Sequence, residues 1–177
     1  MAASTSKTRM VTGMFRDRDS AERAYQSVAG RGYGQDDVSL LMSDETRTKY
    51  FPSDQPADTE LGSKALEGTG AGAAIGGAVG GVLAALAAIG TSLVIPGLGL
   101  VIAGPLAAGL AGAGAGGLTG GLIGALVGAG IPEEHAKTYE SGIKQGGLVM
   151  GVNPRSDEDA EYFEREWKNS RGEHVYR

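Results

Sequence analysis

The sequence contains no cysteine, so disulfides, thiolate metal sites and cysteine nucleophiles are excluded at the outset. Histidine is nearly as scarce: His135 and His174 are the two in the chain, in different segments, with no further ligands spaced around either. Aromatic residues make up 6% of the chain, Trp167 is the single tryptophan, and no aromatic occurs between Phe51 and Tyr139. Charge is missing altogether from the 65 residues between Glu67 and Glu133. A basic stripe is absent too, with 16 Lys and Arg against 21 Asp and Glu and a net charge of −5. Nucleic acid is held largely by clustered Lys and Arg that neutralise phosphates, so it is not expected as a partner. The first residues, MAASTSKTRMVTGMF, lack the unbroken apolar stretch of a secretory signal. The expectation is a protein of the cytoplasm or of the cytoplasmic face of a membrane.

The charged flanks carry ordinary secondary-structure signals. Residues 10–15 read as a strand, and Asp19 with Glu22 three positions on reads as a helix N-terminus. Ala21, Ala24, Tyr25 and Val28 form the apolar face of that helix. Gly30, Gly32 and Gly34 end it, and residues 36–43 form a second strand. After the uncharged segment, Pro132 opens a helix with Glu133 and Glu134 near its positive end. Ala136, Tyr139 and Ile143 are its apolar face, and Gly146–Gly147 stop it. Residues 148–152 (LVMGV) form a strand, Ser156 with Asp159 caps another helix facing inward through Ala160, Phe163 and Trp167, and HVYR closes the chain as a short strand. The order predicts an α+β protein: a ferredoxin-like βαββαβ domain with its first and third strands central, interrupted by a long inserted Gly/Ala-rich helical hairpin. The expected boundaries are a flexible tail over 1–8, a first βαβ half over 9–43, a polar linker over 44–67, the hairpin over 68–130, and a helix plus second βαβ half over 131–177.

The insertion holds about two-thirds of the 31 glycines. Pro96, Gly97 and Pro105 divide it into two predicted helical arms, roughly 68–95 and 105–130. Small residues recur at every fourth position: Gly68, Gly72, Gly76 and Gly80 on the first arm, Gly112, Gly116, Gly120, Gly124 and Gly128 on the second. Glycine in a helix costs about 0.8–1.0 kcal/mol relative to alanine, and the known compensation is close approach of another helix. Four residues advance about 400° around a helix, so each step drifts by roughly 40° and the second row turns through roughly 160°. One straight partner cannot cover it. The nine glycines are therefore the expected oligomerisation residues, and the chain itself the expected partner. A lipid bilayer is the other candidate, since an arm of about 26 residues reaches roughly 39 Å against a hydrocarbon core of about 30 Å. The missing aromatic anchors and the excess of Gly and Ala over Leu, Ile, Val and Phe weigh against it.

A nucleotide fingerprint is not supported: Gly112, Gly114 and Gly117 match G-x-G-x-x-G as text but lack the strand, helix and acidic residue around them. Asp17, Asp19, Asp36 and Asp37 read as caps and turns, and Trp167 as a core anchor. Glu158, Glu161, Glu164 and Glu166 read as a solvated face. No catalytic residue, cofactor or metal is expected.

The segments VTGMFRDRDSAERAYQSVAGRGYGQDDVSLL and GAGIPEEHAKTYESGIKQGGLVMGV, with the glycine hairpin between them, resemble bacterial general stress proteins of the heat-induced YflT group. The likeness spans about residues 9–153 and is strongest over Ile131 to Gly147. It implies a stress-linked bacterial protein without enzymatic activity, and supplies no catalytic residues. Members of that group are often described as membrane proteins because of the hairpin. Three readings follow: a non-enzymatic, scaffold- or shell-like homo-oligomer joined by glycine-zipper hairpins; a membrane-embedded hairpin with a cytoplasmic domain; and a small-molecule-binding regulatory domain oligomerised by the hairpin.

Overall fold

The structure is a computed structural model that describes residues 10–51, 91–95, 98–107 and 121–177. The first half comprises β1 (Val11–Phe15), α1 (Arg18–Ala29), a 3-10 turn (Gln35–Asp37) and β2 (Val38–Ser43). Then come α2 (Asp44–Tyr50), β3 (Thr91–Ile95), β4 (Leu98–Ala103), α3 (Gly121–Gly128) and α4 (Glu133–Lys144). The chain closes with β5 (Leu148–Val152), α5 (Asp157–Asn169) and β6 (Glu173–Tyr176).

These strands form one six-stranded sheet in the order β3-β4-β2-β5-β1-β6, and every neighbouring pair is antiparallel. β2 and β5 are the middle pair, in keeping with the continuous apolar run LVMGV of β5, while β1, expected to be central, lies between β5 and the edge strand β6 because the insertion adds β3 and β4 on the other side. α1 carries the chain from β1 to β2 and α5 from β5 to β6, so each crosses over one intervening strand.

Strand side chains alternate between two cores, as a period of two requires. Val11 and Phe15, Val38, Leu40 and Met42, and Leu148, Met150 and Val152 face α1 and α5. Met14, Leu41, Leu100, Ile102 and Val149 face α3 and α4. Both helical layers meet the sheet through the faces their spacing predicts: Ala21, Ala24, Tyr25 and Val28 on α1, Ala160, Phe163 and Trp167 on α5, and Ala136, Tyr139 and Ile143 on α4 are all buried. Trp167 anchors the first core, its Nε1 donating to the Ala24 carbonyl at 3.2 Å and its ring lying edge-on to Phe15.

The structure departs from the sequence reading mainly in the insertion. The expected helix over 68–95 does not reach its end, because Thr91–Ile95 is a strand. The tip beyond it is a strand as well: β4 pairs with β3 on one side and with β2 on the other, so the insertion widens the sheet. Thr91, Val94, Ile95, Val101 and Ile102 are β-branched and favour a pleated surface. The expected helix over 105–130 is not continuous either. Gly121 has φ +65°, which a right-handed helix cannot accommodate, and α3 is the helical part that follows. The polar linker expected over 44–67 begins as a helix, α2, capped by Ser43, whose Oγ accepts from the Thr46 N–H at 3.1 Å. The cap of α1 is Asp17 and not Asp19: its carboxylate accepts from the Ser20 N–H at 2.7 Å and the Ser20 hydroxyl at 2.9 Å. The 1–8 tail lies outside the described residues.

Candidate functional site

Of the nine glycines expected to mediate assembly, Gly68, Gly72, Gly76, Gly80, Gly112, Gly116 and Gly120 lie outside the described residues. Gly124 and Gly128 lie on α3. This helix is held against the domain by Leu122, Ala125 and Leu126, all buried among Leu100, Ile102, Ile131 and Tyr139. At about 100° per residue, Gly124 and Gly128 fall about 200° and 240° around from Leu122. Both lie away from Leu122 and Leu126; Gly124 is half-buried and Gly128 exposed. A Cβ built on Gly128 would meet nothing within 4 Å, and the adjacent Val127 is 43% exposed, the one large hydrophobic residue that is exposed among those described.

The two histidines, which lie in different segments of the sequence, converge on one edge of the sheet. The His135 ring on α4 stacks against Tyr176 of β6 at 4.3 Å between centroids, and His174 lies two residues before Tyr176. His174 is held in an unusual conformation. β1 advances from Thr12 to Met14 while β6 advances from Tyr176 to Glu173, so β6 carries one extra residue, a bulge. His174 takes up the excess with φ +50°. The buried Tyr139 hydroxyl donates to the His174 carbonyl at 2.7 Å and lies 2.9 Å from Thr12 Oγ1. Burial pushes the Tyr139 hydroxyl up to about 12, so it remains a donor across the physiological range.

At the opposite end of these strands a polar cluster ties the two crossover units together. The Tyr33 hydroxyl donates to Asp159 Oδ2 at 2.6 Å and accepts from the Arg155 N–H at 2.7 Å. Arg31 pairs with Asp159 at 2.8 Å and Arg155 with Asp37 at 2.8 Å. Asp37 is thus a paired turn residue, its carboxylate also accepting from the Gly34 N–H at 2.9 Å. Tyr33's hydrogen bond, joined by Arg31, holds the Asp159 carboxyl below its usual range. Each group here has a structural partner, so the cluster reads as a brace.

Sequence reasoning missed Arg16, Lys137, Ser141 and Gln145, which line a cleft beside His174. The available signal was the interval of four that places Lys137, Ser141 and Gln145 on one face of α4. Among the described residues no group of three or more His, Asp or Glu could hold a metal ion, and no helix is long and apolar enough to cross a membrane. Compared with protein-family models, curated proteins and solved structures, the chain matches none.

Proposed function

We propose that this protein is a non-enzymatic assembly protein: a ferredoxin-like βαββαβ domain whose glycine-rich insertion joins copies of the chain into a homo-oligomer. The strand order β2-β5-β1-β6, with α1 and α5 on one face, supports the ferredoxin-like description. The resemblance to the YflT group is what attaches the reading to stress.

The observation that carries it is the placement of Gly124 and Gly128 away from Leu122 and Leu126 on α3, with open space around the exposed Gly128. On a helix face with room for a side chain, glycine is a poor choice for an isolated domain, weaker than alanine by about 0.8–1.0 kcal/mol. The flat surface it leaves has value when another helix packs there closely. Insertion into a bilayer draws no comparable support from the described residues.

The test is sedimentation velocity on the full chain and on the double variant Gly124→Leu with Gly128→Leu. Leucine is a strong helix former and Gly128 has open space around it, so the domain should remain folded. The expected outcome is an oligomer for the parent chain and a marked fall in mass for the variant, with its unfolding midpoint retained. A monomeric parent chain, or a variant of unchanged mass, would overturn the proposal.

A further inference from the structure

An open cleft of about 390 Å³ lies between α4 and the β1–β6 edge of the sheet. Its floor is Met14, which occupies the space that the missing side chain of Gly142 leaves: a Cβ there would overlap Met14 Sδ. Around its mouth stand Arg16 from the end of β1, Lys137 and Ser141 from α4, and His174 from β6. Three elements distant in sequence thus bring a guanidinium, an ammonium and an imidazole to one depression.

Arg16 is oriented for this position. Its Nε and Nη2 both reach Glu173 Oε2, at 3.0 and 2.9 Å. Its Nη1 donates to Gln145 Oε1 at 3.1 Å, and Gln145 Nε2 in turn donates to Ser141 Oγ at 3.1 Å. A guanidinium has five N–H donors, so one on each terminal nitrogen remains for a ligand. The Ser141 hydroxyl accepts from Gln145 and keeps its own proton to donate. Lys137 pairs with Glu133 at 2.6 Å on an exposed part of the helix, a contact of the kind that contributes little and yields readily.

His174 is presented by the strained bulge. A left-handed backbone is unfavourable for a residue with a Cβ, and such strain persists where the surroundings impose it. Here the Tyr139 hydroxyl imposes it by holding the His174 carbonyl. Glu173 and Glu133 offset the charges of Arg16 and Lys137, which suits the cleft to one oxyanion and not to a polyanion.

We propose that this cleft binds the oxyanion group of a small molecule, a phosphate or a carboxylate, with Arg16 and His174 as its direct partners. Isothermal titration calorimetry of inorganic phosphate, and separately of acetate, into the full chain at constant ionic strength tests it. The expected result is a saturable heat for at least one of the two, at one site per chain; which anion saturates identifies the source. Arg16→Gln and His174→Asn should each weaken that affinity about tenfold or more, whereas His135→Gln should leave it unchanged. Asparagine tolerates the left-handed conformation, so His174→Asn removes the imidazole while keeping the bulge. No saturable heat with either anion, or affinity unchanged in both Arg16→Gln and His174→Asn, would overturn the proposal. No residue of α3 lines the cleft, so the anion titration and the sedimentation test succeed or fail independently.

Discussion

Arg171 and His174 are the two non-glycine residues with left-handed backbone among those described, and they occupy it for different reasons. Arg171 ends α5. The Gly172 N–H donates to the Trp167 carbonyl at 2.7 Å and the Arg171 N–H to that of Lys168 at 3.3 Å, the paired closure of a Schellman motif. The same closure ends α1 at Gly32, α3 at Gly130 and α4 at Gly146, each with φ between 77° and 93°. Arg171 alone fills that position with a side chain, and an exposed one. Replacing it by glycine removes the Cβ penalty but makes the unfolded chain more flexible. Arg171→Gly should therefore gain a net stability of about 0.5–1 kcal/mol, read as a higher midpoint in urea. A lower midpoint would mean that the Arg171 side chain contributes more than its backbone costs. Gly104 is the opposite case. It has φ +83° and its missing Cβ would lie 2.0 Å from the Val38 carbonyl oxygen, an overlap with backbone that no rotamer relieves. Gly104→Ala should destabilise by about 3 kcal/mol or more, combining left-handed strain with displacement of β2; a midpoint within error of the parent would contradict that packing.

At the scale of elements, the two crossover connections are joined by the Tyr33–Asp159 brace, and the brace should be visible in acid. Asp159 is held below its usual range in the folded protein, while an unfolded aspartate sits near ~3.9. Its contribution is present above that value and is lost as pH falls through the lower folded value. In urea denaturation across the acid range, Asp159→Asn should be less stable than the parent near neutrality, and the gap should close as pH falls. A gap independent of pH would show that charge plays no part. What could be read from sequence follows the same elements. Helix faces such as Ala136–Tyr139–Ile143 are written in period, and the Ser156 cap in spacing. β3 was hidden because Thr91–Ile95 continues a Gly/Ala-rich stretch whose four-residue rhythm reads as helix, and β4 because it lies between the two predicted arms without polar alternation to mark it, while α2 buries only Thr46 and so has no apolar face to detect. The cleft was illegible for another reason: Arg16, Ser141 and His174 meet only once the sheet places β1 between β5 and β6, and nothing in their spacing encodes that.

At the scale of the whole molecule, the two cores raise a question of cooperativity. The first lies under α1 and α5 and draws mostly on β1, β2 and β5, whereas nearly half of the second comes from inserted residues: Leu100, Ile102, Leu106, Leu122, Ala125 and Leu126. One sheet serves both. Val149 and Met150 are consecutive residues of the same central strand, yet they face opposite cores, so neither layer can be lifted without exposing strands that the other also needs. The described residues of the insertion are therefore part of the fold and not an appendage to it. Leu126 is fully buried on the second face, and truncating it should cost about 2–4 kcal/mol through lost burial and the cavity left behind. Trp167 lies on the first face and is the only tryptophan, so its fluorescence reports the far side of the sheet. In Leu126→Ala the Trp167 transition in urea should move to lower denaturant, in step with the loss of helix by circular dichroism, as one cooperative unit requires. If helix signal were instead lost early while the Trp167 midpoint stayed in place, the second layer would be an independently unfolding cover. Gly124 and Gly128 would then sit on a part able to detach from the sheet, and the proposed assembly through them would be separable from folding of the domain.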